Sequence, residues 1–270
     1  MTPNPLFELS GVTYRYPEST ALDGITLSIS QGERVAILGA NGSGKSTLLR
    51  ILGGLCFPEQ GQVQFAGRAL TEAQFADDRF AWEFRRRVGI IFQNPDVQLF
   101  NATVFDEVAF GPLQLNWTKP EIIERVDAAL NEMEIFHLKH RAPHRLSGGE
   151  KKRVALASVL VLDPDVLLMD EPTAALDPKS QGHMIDFLFD CIGKKTVITT
   201  THSLEIVEEI ADRCVVLEAG HLAGSGSVAG VLNDFALLQR THLIHAHRHR
   251  HSSGVVHSHP HVHREHRHDG

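Results

Sequence analysis

The chain has 270 residues, 42% of them hydrophobic, and a formal charge of −7 with neutral histidines; this suffices for one large globular domain or two small ones. The last thirty residues carry four Arg against one Glu and one Asp, so residues 1–240 hold about −9, which argues against a general nucleic-acid binder. Cys56, Cys191 and Cys214 form no CxxC pair, MTPNPLFELS lacks the basic and apolar parts of a signal peptide, and Asp163, Pro164 and Asp165 interrupt the longest apolar stretch. Neither disulfides nor a membrane span are expected.

In chain order, LFELSGVTYRY, ALDGITLSIS and GQVQFAG alternate or are β-branched and predict antiparallel strands, whereas RVAILGA (Arg34 to Ala40) predicts a buried strand. Buried strands at VGIIFQ, DVLLMD, KTVITTT and RCVVLEAG then alternate with helices. The expected fold class is α/β, with a mainly parallel core sheet and an N-terminal antiparallel β subdomain. TVFDEVAF and the amphipathic KPEIIERVDAALNEMEIF place an inserted helical subdomain at about 93–146. A packed body over 6–240 and a disordered His-rich tail over 241–270 complete the expected organisation.

GANGSGKST follows a predicted strand and opens the apolar helix STLLRILGGL. It has the GxxxxGK[ST] spacing of a P-loop NTPase, in which backbone N–H groups and a helix N-terminus cradle phosphate oxygens. Gly39, Ala40, Asn41, Gly42, Ser43, Gly44, Lys45, Ser46 and Thr47 are thus the expected nucleotide contacts. Lys45 would reach the β- and γ-phosphates, and Ser46 would ligate Mg2+. The plainer reading, a glycine-rich turn entering a helix, leaves the Lys-Ser pair unexplained.

VLLMDE delivers Asp170 and Glu171 to the C-terminal end of a strand, the ligand edge of an open α/β sheet. Asp170 would support Mg2+, and Glu171 would polarise a water aimed at the γ-phosphate. Alone, such a pair is more often a turn or cap; downstream of a phosphate loop the catalytic reading prevails.

LSGGEKKRVALA (Leu146 to Ala157), with these motifs in this order, resembles the signature of the ATP-binding-cassette ATPases over Leu6 to about Ala236. The resemblance implies ATP and Mg2+ as ligands and a pair of cassettes, either a homodimer or a pairing with a related ATPase. In it Ser147, Gly148, Gly149 and Glu150 close over the nucleotide held by the other cassette. It further implies that Tyr16 stacks on adenine, Gln93 contacts Mg2+ and water, Asp177 meets the partner, and His202 touches the γ-phosphate. Tyr14 competes with Tyr16 for the adenine. The family usually has Gln at position 150 and Asp at position 203. Ser147 and Glu150 also fit a capping box, and His137, His140 and His144 read as surface or packing residues.

QNPDVQLFNATVFDEVAFGP resembles the energy-coupling-factor subgroup of importers, whose ATPases contact a transmembrane coupling protein through a similar stretch. Exposed Val97, Leu99 and Phe100 would form that docking surface. The tail holds eleven of the seventeen histidines, and HAHRHRH and HSHPHVH set imidazoles at i, i+2 and i+4. His245, His247, His249, His251, His257, His259, His261 and His263 would ligate Ni2+ or Co2+. An importer ATPase with such a tail resembles the ATP-binding proteins of nickel and cobalt energy-coupling-factor transporters. The resemblance thus implies a peripheral ATPase on the cytoplasmic face of the cell membrane, partnered by a transmembrane coupling protein and a substrate-binding membrane subunit, with no nucleic acid. A soluble cassette for DNA repair or translation, a vitamin importer whose tail merely stores metal, and a metal-storage protein are the competing readings.

Overall fold

The computed structural model describes residues 5–250 and 256–261. Strands β1 (Phe7–Tyr16) and β2 (Ser19–Ile29) precede β3 (Arg34–Leu38), helix α1 (Lys45–Leu52), β4 (Gln60–Phe65) and the short β5 (Arg68–Ala69). Helices α2 (Glu72–Phe75) and α3 (Asp78–Arg87) lead to β6 (Val88–Ile91). The inserted region supplies α4 (Val104–Gln114) and α5 (Lys119–Glu132), and α6 (Gly148–Leu160) returns the chain to β7 (Val166–Asp170). Then come α7 (Pro178–Asp190), β8 (Thr196–Thr201), α8 (Val207–Ile210), β9 (Arg213–Glu218), β10 (His221–Ser227), α9 (Val228–Leu232) and α10 (Phe235–Arg240).

β2-β1-β4-β5 form an antiparallel sheet, and β10-β9-β3-β8-β7-β6 form the central one. Its inner pairings are parallel, and only β10 runs antiparallel at the edge. Every residue of β3, β7 and β8 is buried, and alternation along them feeds two cores. Ala36, Leu38, Leu167 and Met169 join the cluster built with α4, α5, α6 and α7. Val35, Ile37, Val166 and Leu168 join the cluster shared with α1 and the antiparallel sheet. Period-two side chains on a sheet covered on both faces require this division, and each large apolar side chain so buried contributes about 1.5–3 kcal/mol.

The parallel register pairs Leu38 with Thr201 and Asp170 with Thr200. Consequently the phosphate loop after β3, the carboxylates ending β7 and the histidine after β8 all emerge at one edge.

Three elements depart from the sequence reading. Residues 72–75 and 78–87 are helical: the Asp77 side chain caps α3 by accepting from Arg79 N–H at 3.0 Å, and Phe80 and Phe84 face the core. Arg85, Arg86 and Arg87 dilute that apolar face in the sequence. β10 is rich in small residues and was not expected; it exists because Ala219 and Gly220 take positive φ of 46° and 84°, a tight reversal that returns the chain along β9. The packed body also continues past residue 240, since Thr241 and Ile244 are buried and the Thr241 hydroxyl donates to the Leu237 carbonyl at 2.8 Å.

Beyond Ile244, where the sequence predicts disorder, β11 (His245–Arg250) and β12 (Val256–His261) pair antiparallel. Histidine recurs at every second residue of both segments, a spacing compatible with extended backbone. The register sets His245 opposite His261, His247 opposite His259, and His249 opposite His257. His251 and His263 lie outside the described residues.

Candidate nucleotide-binding and hydrolysis site

The loop from Gly39 to Gly44 joins β3 to α1. A Cβ at Gly39 would stand 2.3 Å from Ser43 Oγ and 2.5 Å from the Leu217 carbonyl oxygen, and Gly44 enters the helix at φ 102°. Other residues would clash at the first position and be strained at the second. Lys45 is buried and donates from Nζ to the carbonyls of Gly39 at 2.7 Å and Ala40 at 3.1 Å. Burial lowers its pKa, and the negative charges of Glu171 and Asp170 work against that shift. The buried Ser43 hydroxyl has no partner among the described residues, and a phosphate oxygen in the loop would supply one.

Asp170 and Glu171 are both buried at the end of β7. Oδ1 of Asp170 accepts from Ser46 Oγ at 3.1 Å and from Thr200 Oγ1 at 2.5 Å. Glu171 has a left-handed φ of 46°, an uncommon conformation for a residue with a side chain. Its N–H donates to the Thr200 carbonyl and hydroxyl, both at 3.1 Å. Its Oε1 lies 2.8 Å from His202 Nδ1.

These hydroxyl and carboxylate groups fit a hard divalent cation of the Mg2+ class: Ser46 and Asp170 offer oxygen ligands beside a loop built for phosphate. Gln93 stands exposed just beyond β6. Tyr16 is exposed, whereas Tyr14 packs against the core beneath it, with ring centroids 5.1 Å apart. Arg50 donates to the Tyr16 hydroxyl at 3.1 Å, which also lies 3.4 Å from Thr47 Oγ1.

Ser147 begins α6 with the expected capping box: Ser147 Oγ accepts from Glu150 N–H at 3.3 Å, and Glu150 Oε2 accepts from Ser147 N–H at 2.7 Å. The backbone bond from Ser147 is the main cause of the lowered Glu150 pKa. A Cβ at Gly149 would meet Ser180 Oγ at 2.5 Å, but one at Gly148 would meet nothing within 4 Å among the described residues. Asp177 caps α7, accepting from the N–H groups of Lys179 and Ser180, both at 3.1 Å.

In the inserted region Val97 and Phe100 are 69% and 67% exposed. Leu99, expected beside them, is instead partly buried against the core. Phe110 on α4 takes its place, 41% exposed, its ring 5.0 Å from that of Phe100 and nearly perpendicular to it.

Two residues that the sequence reading did not single out also shape the site. Thr200 ties Asp170 to Glu171, and Lys152 donates to the carbonyls of Glu171, Pro172 and Ala174 at 3.0, 2.8 and 2.9 Å. Both lay within motifs already noted, VITTT and EKKR, but buried hydroxyls and lysines are not distinguished there from exposed ones.

Residues 22–174 match the family model described as ABC transporter. The chain belongs to this family of ATPases. The cassette is 54% identical over 244 residues to the nickel import ATP-binding protein NikO of Rhodobacter capsulatus, covering 89% of this chain and 96% of that protein. It is 40% identical over 241 residues to the energy-coupling factor transporter ATP-binding protein EcfA2 of Methanospirillum hungatei, covering 88% of this chain and 60% of that one. Among solved structures, CbiO1 of Clostridium perfringens, part of the ABC transporter complex cbiONQ, superposes with a TM-score of 0.74 at 36% identity, covering 88% of this chain and 95% of that one. The chain is therefore an ATP-binding subunit of the ABC transporter family, in which ATP hydrolysis is coupled to transport. Among the described residues no helix is long and apolar enough to cross a membrane.

Proposed function

We propose that the chain is the ATP-hydrolysing subunit of an energy-coupling-factor importer for Ni2+ or Co2+, working at the cytoplasmic face of the cell membrane. The observation that carries the catalytic part is the convergence of Lys45, Ser46, Asp170, Glu171 and His202 on one sheet edge. The phosphate loop would bind the triphosphate, with Lys45 exchanging its loop carbonyls for β- and γ-oxygens. Mg2+, held by Ser46 and Asp170 with Gln93 beside it, would neutralise charge developing on the phosphates. Glu171 would accept a proton from the attacking water as that water's oxygen bonds to the γ-phosphorus and the bond from the γ-phosphorus to the β–γ bridging oxygen breaks, ADP leaving with the electron pair and the γ-phosphoryl released as inorganic phosphate. His202 orients the Glu171 carboxylate and would bond the γ-phosphate, and Tyr16 would stack on the adenine.

Gly148 supports a two-cassette site. Its φ is ordinary, and among the described residues nothing lies within 4 Å of the place a Cβ would take. That opening suits close approach by a nucleotide bound to a second cassette at the segment Ser147 to Glu150, with Asp177 beside it. Because Glu150 is already committed to the Ser147 N–H, it would serve this segment chiefly as a cap.

The cargo reading is supported by the histidine-rich tail and the similarity to NikO. Exposed Val97, Phe100 and Phe110 suit an apolar contact with a transmembrane coupling protein, and a substrate-binding membrane subunit would complete the importer. Among the described residues no group of three or more His, Cys, Asp or Glu is arranged around a cation, so tail binding of Ni2+ or Co2+ rests on imidazole number and spacing. Co-expression with candidate membrane subunits, followed by uptake of radiolabelled Ni2+ and Co2+ in vesicles, tests the reading. ATP-dependent uptake of neither ion by an intact assembly refutes it.

A further inference from the structure

Lys152 is 3% exposed, and a buried ammonium without a carboxylate contact is costly unless each N–H finds an acceptor. Here all three do, and all three acceptors are backbone carbonyls on one strap: Glu171, Pro172 and Ala174. The strap starts at Glu171, whose φ is left-handed, and reaches a second left-handed residue at Ala175. Three carbonyls turned toward one cation fix the peptide from which the Glu171 side chain projects. His202 holds the other end of that side chain.

The adjacent lysine on α6 faces elsewhere. Lys151 Nζ lies 2.7 Å from Asp96 Oδ1, and one turn further along the Ala155 carbonyl accepts from Gln98 Nε2 at 3.4 Å. Asp96 and Gln98 flank Val97 in the exposed apolar segment. Consecutive residues of one helix thus grip the segment proposed to dock the membrane partner and the strap that carries Glu171.

We propose that Lys152 is a positioning residue for Glu171, and that the Lys151–Lys152 pair makes α6 the rigid joint between the Asp96 segment and the hydrolytic carboxylate. The inference rests on the reading of Glu171 as the water-polarising group. A shift of the docking segment would be carried by α6 to the strap, changing the aim of Glu171 while leaving the phosphate loop, on a separate element, undisturbed.

The test compares full-length Lys152→Met, Lys152→Arg and Glu171→Gln for MgATP affinity, kcat and melting temperature. Lys152→Met is expected to bind MgATP within about 2-fold of the parent while kcat falls about 10-fold or more, and Lys152→Arg to recover a substantial part of kcat. If the Met variant does not fold, Lys152→Gln, which retains two N–H donors, is judged by the same split. Parental kcat in the Met or Gln variant overturns the proposal, as does loss of affinity in step with kcat without rescue by Arg. Glu171→Gln separates the two readings: near-parental turnover there removes the Glu171 role itself, whereas a dead Glu171→Gln beside an active Lys152→Met removes only the positioning role.

Discussion

His202 Nδ1 lies 2.8 Å from Glu171 Oε1, although the His202 side chain is 57% exposed and that of Glu171 only 8%. A solvent-facing ring thus anchors a buried carboxylate, and the two act as one unit. Glu171→Gln should retain MgATP affinity, lower kcat by about 10²-fold or more, and accumulate an ATP-bound dimer. His202→Ala should also lower kcat, with affinity changed less, since the carboxylate keeps its backbone setting but loses its orienting partner. Single-turnover hydrolysis beside equilibrium nucleotide binding checks both; parental turnover in Glu171→Gln would remove it as the base.

The apolar surface yields a separate expectation. Val97→Ser, Phe100→Ser and Phe110→Ser combined should leave the cassette folded and able to bind ATP, because all three side chains are substantially exposed. The triple variant should lose co-purification with membrane subunits or the stimulation of ATPase by cargo. Leu99 is excluded because it packs against the core, and Leu99→Ser should lower the melting temperature instead. A triple variant that assembles and transports normally would place the coupling contact elsewhere.

Removing residues 245–270 while keeping buried Ile244 should leave ATP hydrolysis near the parental rate and abolish most binding of Ni2+ by the soluble protein. Cutting after Arg240 should cost additional stability, since it deletes Thr241 and Ile244 from the core. Metal binding by the full chain should weaken as pH falls below about 6, because protonated imidazole, with an ordinary pKa of about 6.5, cannot ligate. Calorimetric titration at two pH values and uptake at limiting Ni2+ measure these effects. Identical uptake by the truncated protein would make the tail a store rather than part of delivery.

Burial pushes the Cys191 thiol up to about 11 and the Cys214 thiol to about 12. In the native protein near pH 8 both should resist alkylation by iodoacetamide, because the thiolate is the reacting form and access is closed. Unfolding restores access and a pKa near 8.5, so both should then react. Cys56 is partly exposed and should be modified first in the native protein. Mass spectrometry of tryptic peptides gives the order, and early loss of Cys214 would contradict the buried placement on β9.

The class of fold and the nucleotide motifs are legible in the sequence, because both are local signals. Residues such as Val35 and Ile37 form an uninterrupted apolar run that only a doubly covered strand tolerates, and Gly39 to Thr47 carry their own turn, charge and helix start. The Ser147–Glu150 cap was legible for the same reason, its partners being three residues apart. Tertiary structure alone decided the rest. Lys152 and Glu171 are nineteen positions apart, and nothing local separates the buried Lys152 from its neighbour Lys151, which pairs with Asp96 instead. Leu99 packs inward while Phe110, which the sequence reading did not single out, faces outward, because exposure depends on tertiary packing, which periodicity over a short segment does not fix. His202 reaches Glu171 only through the parallel register that pairs Asp170 with Thr200, and register is set by side chains packing across the whole sheet, from segments that meet only when the chain is folded.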